Sequence, residues 1–583
     1  MPEYTAVSFA PVQGFIEKSR KLRDLFGASL ILSYLSQKIV QEIEQSPGLQ
    51  VISPAQISVQ EGMPNRILVK GFINRDRVKN ILLKHWQELL KVCREWVKKN
   101  VSADYHWSQN PEDIGNQKGE WERWGSYAWE VFWGTGENPQ AAMEDLETRK
   151  LKRDWIGINW IGESSSLSGT DAIAWNRLGL QYKRGEWQPG RSLTEAEQQE
   201  LELFYRRLSW LLDDPKYRIG KPHLSLNELK TYEKNNPDGI GRYIAINERL
   251  SIPELVKRLI TYDRIDVDEP AIEELGIAKL KKKPEDPEFK DINREAGYWT
   301  GWFMGDGDKV GDKLKKLSER NSDNPEKRDQ DLTCFTEWIR DWGAKFKSRE
   351  DLFPGGKGRV VYAGGDDFLG VLYSEEPEGE QVKPEKVKPI EAWNWLLKLP
   401  EQWKDLQETL AQELNLTEEH RFTYSVGFVW AGHQVPQRDI LQHCREAEKR
   451  AKSLGRDRLT IRVVFNSGQY VQWTCPWDYL DILTKYRDRD GNTGKNANWN
   501  HLYSDWATLK ARHAIQLQDR QTVALNKQIA LTIFDLYFDK AGQIFEAERQ
   551  WDKLTGENTS AAIMNWMNDL IQVGWQLCRN SDP

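Results

Sequence analysis

The chain has 583 residues, a mass of 68.0 kDa, a formal charge of −7 and a sequence pI near 5.9. That balance excludes a protein that grips nucleic acid by bulk positive charge, and no apolar stretch reaches the roughly 18 residues a membrane span needs. Hydrophobic residues make up 39%, with 27 Trp and 19 Tyr, so several large cores can form and the length suits several domains.

Taken in chain order, the first hundred residues read β-α-β-β-α. Thr5 to Phe9 is a predicted strand, and a long helix follows Pro11 with Phe15, Leu22, Phe26 and Leu30 partly at helical spacing. Gln50 to Ser53 and Arg66 to Lys70 are predicted strands, and Arg75 to Lys99 an amphipathic helix. This order suits a ferredoxin-like sheet backed by helices. It carries no acidic pair at the first strand end or in the 54–65 connection, so residues 1–100 read as a degenerate palm.

Residues 101–220 are rich in Trp and turn residues, with a loop at Glu163 to Gly169. Residues 221–290 read as a small helical domain, with Pro253 near the first turn of a helix opened by Leu250-Ser251. The charged, Pro-containing run Lys281 to Asp291 reads as a linker. From 291 to 475 the order β-α-β-β-α-β returns: a strand at Tyr298 to Met304, helical faces at Val310/Leu314/Leu317 and Leu332/Phe335/Ile339/Trp342, and a hairpin at 359–373. A Pro-rich excursion at 374–389, a helix at Ile390 to Leu414, a strand at Phe422 to Trp430, a helix at Gln437 to Ser453 and a strand at Leu459 to Phe465 complete it. Residues 476–583 read as a helical bundle around Trp506, Leu531, Phe534, Tyr537, Phe545, Trp566 and Trp575. The predicted fold class is α+β.

Five cysteines lie at 93, 334, 444, 475 and 578, none spaced as CxxC. That argues against a zinc ribbon or a disulfide framework and suits a reducing cytoplasm. Met1-Pro2-Glu3-Tyr4 shows no secretion signal. Two basic clusters, Lys18 to Arg23 and Lys281 to Lys283, each suit a solvated face or linker; that is the preferred reading for the second, and any RNA contact is expected to be shared with other subunits.

The chemistry concentrates at two motifs. Gly364-Gly365-Asp366-Asp367 sits between the apolar runs Val360 to Tyr362 and Phe368 to Leu372, so it forms a hairpin tip with two adjacent carboxylates. Met304-Gly305-Asp306-Gly307-Asp308 ends another apolar run. Either motif alone also suits an ordinary turn. Together, carboxylates at a strand end and on a neighbouring hairpin tip form the arrangement that holds two Mg²⁺ ions in nucleotidyl-transferring palm domains.

An ordered set of segments resembles a known family. They include Phe9-Ala10-Pro11-Val12-Gln13-Gly14-Phe15-Ile16, Arg20 to Leu25, Pro64-Asn65-Arg66, Leu250-Ser251, Val256-Lys257-Arg258, Gly305 to Asp308 and Gly364 to Asp367. Ser425-Val426-Gly427, Ala431-Gly432-His433, Pro436, Ala451-Lys452 and Ser467-Gly468 continue the series. Together they resemble the large polymerase/cyclase-type subunit of type III CRISPR effector complexes in its III-B (Cmr) form. The resemblance implies two ferredoxin-like palms, an intervening small domain and a C-terminal helical bundle. It also implies partners: other Cmr-type subunits, crRNA and target RNA, with no membrane. The N-terminal HD nuclease domain of many relatives is not expected before Tyr4. Serines stand at 164–166 where many relatives carry zinc-binding cysteines, so zinc is not expected either.

The activity implied is the joining of ATP into short, usually cyclic, 3′–5′ oligoadenylates when target RNA binds. Expected metal ligands for Mg²⁺ or Mn²⁺ are Asp306 and Asp366, then Asp367, then Asp308, which has the alternative role of capping the next helix. Gly307, Gly364, Gly365 and Lys452 are the expected nucleotide-binding residues; a plain surface lysine is the alternative for Lys452. His433 reads as structural. Two other readings stay open: a non-catalytic nucleotide-binding scaffold of the same complex, and a stand-alone GGDEF-like dinucleotide cyclase.

Overall fold

The computed structural model describes residues 3–19, 21–55, 64–101, 120–152, 163–175, 194–213, 224–235, 241, 243–262, 297–374, 386–415, 422–515, 523–538, 551–557 and 559–578. The chain divides into two compact units, Met1–Asp291 and Ile292–Pro583. Both are mixtures of helix and sheet, as the predicted α+β class requires. The 281–291 linker, the cluster Lys281 to Lys283, most of the 374–389 excursion and Phe545 lie outside the described residues. No described helix is long and apolar enough to cross a membrane.

The first unit is built on a four-stranded sheet: β1 (Tyr4–Ala10), β2 (Gln50–Ser53), β3 (Arg66–Lys70) and β4 (Glu130–Gly136), in the order β2-β3-β1-β4. All neighbours are antiparallel, the arrangement of a ferredoxin-like sheet. The strand β4 comes from the stretch that reads in sequence as Trp-rich and turn-rich, beyond residue 100. Two glycines hide it, and they are there for packing. A Cβ at Gly134 would lie 2.2 Å from the backbone N of Leu146, and one at Gly136 2.4 Å from that of Ala142. Glycine lets the helix Pro139–Lys150 lie directly on the strand.

In chain order this unit's helices are α1 (Gln13–Glu17), α2 (Leu22–Glu44), α3 (Arg75–Asn100), α4 (Glu120–Tyr127), α5 (Pro139–Lys150), α6 (Glu195–Asp213), α7 (Leu226–Asn235) and α8 (Ile252–Leu259). Aromatic rings lock the core edge to face, with Trp86–Trp129 centroids 5.6 Å apart and Phe9–Trp129 5.7 Å apart.

Polar residues fix α8 to α2. Arg258, with no exposed surface, donates to Asp24 and, at 2.7 Å, to Glu248. Lys257 donates to the carbonyls of Phe15 and Lys18. The basic run Lys18 to Arg23 is therefore not simply a solvated face. Lys18 pairs with Asp171 at 2.8 Å, Lys21 donates to the Gly241 carbonyl, and the Arg23 guanidinium lies 3.4 Å from the Tyr243 ring centroid. The serine loop is held in the same way: Ser165 donates to Glu254, and its hydroxyl accepts from Leu167 N–H.

The second unit carries a six-stranded sheet in the order β10-β9-β8-β5-β7-β6. Its strands are β5 (Thr300–Gly307), β6 (Gly358–Ala363), β7 (Asp367–Leu372), β8 (Tyr424–Ala431), β9 (Arg458–Val464) and β10 (Tyr470–Pro476). The first four in chain order, arranged β8-β5-β7-β6, repeat the ferredoxin-like order; β9 adds parallel to β8, and β10 antiparallel to β9. The helices α9 (Val310–Arg320), α10 (Pro325–Ser348), α11 (Pro389–Lys398), α12 (Glu401–Glu413) and α13 (Gln437–Ser453) accompany them. The predicted single helix Ile390 to Leu414 is two, because Pro400 lacks the N–H that would continue the ladder.

Strand β10 is absent from the sequence reading; the last helix covers it, with Trp566 Nε1 donating to the Thr474 carbonyl at 2.8 Å. That helix, α17 (Ser560–Cys578), follows α14 (Trp499–Ala511), α15 (Val523–Tyr537) and α16 (Trp551–Thr555). Trp506, Phe534, Tyr537 and Trp566 are buried among them as expected.

Candidate active site

The strand β5 ends at the two motifs. It pairs antiparallel with β7 on one side and β8 on the other, and its register sets Asp306 opposite Asp367 and opposite Ser425. Two reciprocal contacts hold this register. The Phe368 ring lies over Gly305 and the Phe303 ring over Gly370, so that a Cβ would fall 2.2 and 2.0 Å from the respective ring atoms. Aromatic rings over cross-strand glycines shield backbone that has no side chain of its own. The first motif's carboxylate is thereby pinned beside the second's.

The tip is as tightly determined. The Gly364 N–H donates to the Asp367 carbonyl at 3.1 Å, and the Gly307 N–H to the Asp366 carbonyl at 2.6 Å. Gly365 has φ of +140°, which a side chain disfavours. A Cβ at Gly364 would meet the Tyr362 hydroxyl at 1.9 Å. That hydroxyl bonds to the Asp367 carboxylate, so the glycine leaves room for the group that orients Asp367. Asp367 keeps an exposed surface, yet dense packing around its carboxyl, with the charges of Asp366 and Asp306, pushes it up to about 8. Neighbouring carboxylates resist ionising together unless a cation joins them.

Helix α13 brings the cation that the chain itself supplies. Gly427 of β8 would place a Cβ 2.3 Å from the Cys444 carbonyl and 2.6 Å from Glu448 N, so only glycine admits this close approach. The buried face Ile440, Leu441, Cys444, Ala447, Glu448 and Ala451 then sets Glu448 and Lys452 beside β5. Lys452 Nζ lies 2.6 Å from Asp306 Oδ2 and 2.5 Å from Glu448 Oε1. Burial works against the Lys452 ammonium, but the two carboxylates outweigh it and hold its pKa above the ordinary lysine value. Burial, with Asp306 nearby, raises Glu448. Sequence reading missed Glu448; its signal is the spacing of four from Lys452 on one helix face.

Asp308 stands apart from the other carboxylates. It is 3% exposed, and both its oxygens are engaged: Oδ1 accepts from Ser425 at 2.6 Å, Oδ2 from Thr423 at 2.8 Å and from Asp457 N–H at 2.9 Å. It does not cap α9, which begins after Lys309 in the left-handed conformation, φ 54°. Asp308 thus ties three chain segments together rather than presenting open oxygens to a metal. The His433 ring nitrogen lies 3.4 Å from the Asn466 amide on an exposed surface.

Asp306, Asp366 and Asp367 offer hard oxygen donors, the set that suits Mg²⁺ or Mn²⁺, and Asp306 already takes a cation in Lys452. Their donor atoms are not drawn to one point. Among the described residues, the group of three with all donor atoms within 4.8 Å of one another is Asp488, Asp490 and His501. Asp488 is occupied by the N–H groups of Asp490, Asn492 and Asn498, which organise its own loop.

The strand registers also relate the two sheets. Met304 faces Gly427 and Leu369; in the first unit Ala6 faces Gly134 and Leu68. Counting from these, Ser8 stands where Asp306 does, Asn65 where Asp366 does and Arg66 where Asp367 does. The helix contact repeats, since Gly134 meets Ala142 and Leu146 as Gly427 meets Cys444 and Glu448, which sets Lys150 in the place of Lys452. The first sheet keeps the lysine but has no carboxylate at these three positions. Asn65 instead donates to Ser8 Oγ at 3.3 Å and to the Phe9 carbonyl at 3.0 Å.

Two family models match the chain. "CRISPR-associated protein Cmr2, N-terminal" covers residues 4–70, and "Cas10/Cmr2, second palm domain" covers residues 299–460. No curated protein sequence matches it. Among solved structures it is similar to Csm1 of T. onnurineus, at 14% identity and a TM-score of 0.41 over 99% of this chain and 70% of that one. It is also similar to a type III-B Cmr-beta structure in the apo state, at 12% identity and a TM-score of 0.47 over 98% and 81%. A Csm1–Csm4 cassette in complex with AMPPNP is similar at 15% identity and a TM-score of 0.38 over 99% and 69%. One family model thus falls on strands of the first sheet, and the Cas10/Cmr2 second-palm model falls on the sheet that carries Asp306, Asp366 and Asp367.

Proposed function

We propose that this chain is the nucleotidyltransferase subunit of a type III CRISPR effector complex and joins ATP into short, cyclic 3′–5′ oligoadenylates when target RNA binds. The observation that carries the reading is the register of Asp306 against Asp367 on adjacent strands, with Asp366 on the same hairpin tip. When bound there, divalent cations lower the pKa of an attacking 3′-hydroxyl and neutralise the triphosphate as pyrophosphate leaves. Asp306, Asp366 and Asp367 hold them. The compact backbone at Gly307, Gly364 and Gly365 lets the nucleotide lie against the hairpin. Lys452 reaches the phosphate oxygens. Other Cmr-type subunits, crRNA and target RNA complete the assembly.

The crowding of three carboxylates also disfavours the scaffold reading, because burial, together with the charges of Asp366 and Asp306, raises Asp367 to about 8 and so destabilises a fold that binds no cation. The test is mass spectrometry of nucleotide products from ATP and Mg²⁺, with the chain alone and with partner subunits and target RNA. Adenylate oligomers made only in the full assembly support the reading. Their absence there, or a dinucleotide made by the chain alone, overturns it.

A further inference from the structure

Lys452 bridges two carboxylates of different standing. Asp306 ends its strand with a side chain 37% exposed, while Glu448 lies one helical turn before Lys452 and is 7% exposed. The close contact of Gly427 with Cys444 and Glu448 fixes the backbone under Glu448. Glu448 is thus a rigid, buried partner, and Asp306 a partner open to an incoming ion. A divalent cation and the ammonium compete for Asp306 Oδ2, because like charges brought onto one oxygen repel each other.

We propose that Lys452 is a displaceable resident cation: it neutralises Asp306 until a divalent ion arrives with nucleotide, and Glu448 keeps the displaced ammonium within reach of the triphosphate. This rests on the metal-binding reading of Asp306. Lys452 is then the group that links metal arrival to substrate binding, and Glu448 is its positioning residue. The tether explains why a buried glutamate is placed four residues before a lysine that already has an acidic partner.

The test is binding of Mn²⁺ to the full chain, read by electron paramagnetic resonance without nucleotide, then binding of a non-hydrolysable ATP analogue with Mn²⁺ present. Removing the competitor in Lys452→Met tightens Mn²⁺ about tenfold and weakens the analogue by at least as much. Lys452→Arg keeps the charge and leaves Mn²⁺ affinity near that of the wild type. Lys449→Met removes a neighbouring charge from the exposed side of the same helix and changes Mn²⁺ affinity less than twofold. Glu448→Gln leaves Lys452 to Asp306 alone, so it weakens both Mn²⁺ and the analogue.

Equal tightening by Lys449→Met reduces the effect to a general field and overturns the proposal, as does unchanged Mn²⁺ affinity in Lys452→Met. Asp306→Asn separates this from the underlying reading. If it leaves Mn²⁺ binding intact, the metal assignment itself fails. If it abolishes binding while Lys452→Met changes nothing, only the displacement fails.

Discussion

Lys452 Nζ lies 2.6 Å from Asp306 Oδ2, joining the end of a helix to the end of a strand across the face that carries the hairpin tip. The pair is built by shape before charge. Gly427 admits the helix, Gly305 and Gly370 set the strand register, and the ion pair forms where those contacts leave it. The residues around this pair divide into those that hold the frame and those that present oxygens, and the two classes respond differently to substitution.

Asp308 belongs to the frame. Asp308→Ala strips three donors of their acceptor inside the protein, and hydrogen bonds to a charged group contribute about 1.5–3 kcal/mol each. We expect a loss of about 3 kcal/mol or more, seen as a lower urea midpoint, with Asp308→Asn losing less because it keeps one acceptor oxygen. A variant as stable as wild type returns Asp308 to the candidate ligands.

Gly364→Ala drives a methyl into the Tyr362 hydroxyl, 1.9 Å away, and so moves the group that orients Asp367. Displacing a reacting group by about 1 Å costs on the order of 10²-fold in rate. We expect that loss in oligoadenylate synthesis, with assembly and helix content by circular dichroism unchanged.

Much of this was legible in the sequence, and the failures have physical causes. The strands around Asp306 and the 364–367 tip follow from apolar runs punctuated by glycine, and Gln437–Ser453 from its helical periodicity. Glu130–Gly136 was hidden because its glycines serve a helix contact rather than a turn. Tyr470–Pro476 was hidden because its shielding comes from a helix ninety residues on in the chain. The internal use of Lys18 and Arg23 was also invisible: their partners, Asp171 and Tyr243, are distant in sequence. The same holds for the Lys452–Asp306 pair, which no local pattern encodes.

In the first unit, Arg258 is fully buried between Asp24 and Glu248. Arg258→Ala leaves two carboxylates facing a cavity, and breaking a buried pair by removing one partner costs about 3–5 kcal/mol. Chemical denaturation of the full chain should show an early transition of this unit. Wild-type stability in Arg258→Ala contradicts the assignment.

Lys257 gives a pH dependence. Burial lowers its pKa from 10.5 to about 8. Between pH 8 and 10.5 the unfolded chain holds a proton on this amine that the folded chain has released, so stability attributable to it rises with pH across that window. Lys257→Met removes this contribution. Melting temperatures at pH 7.5 and 9.5 should show wild type gaining relative to Lys257→Met; a parallel response in both contradicts the shift.

The central claim is that the hairpin carboxylates do chemistry. The direct measurement is adenylate product, quantified by mass spectrometry, from the assembled complex with target RNA, ATP and Mg²⁺, comparing wild type with Asp366→Ala, Asp367→Ala. Neither carboxylate packs into the hydrophobic core, and removing both relieves the crowding of charge that helps to raise Asp367, so the double variant should assemble normally. We predict oligoadenylates from the wild type and none above background from the double variant. Wild-type yield from a fully assembled double variant contradicts the account.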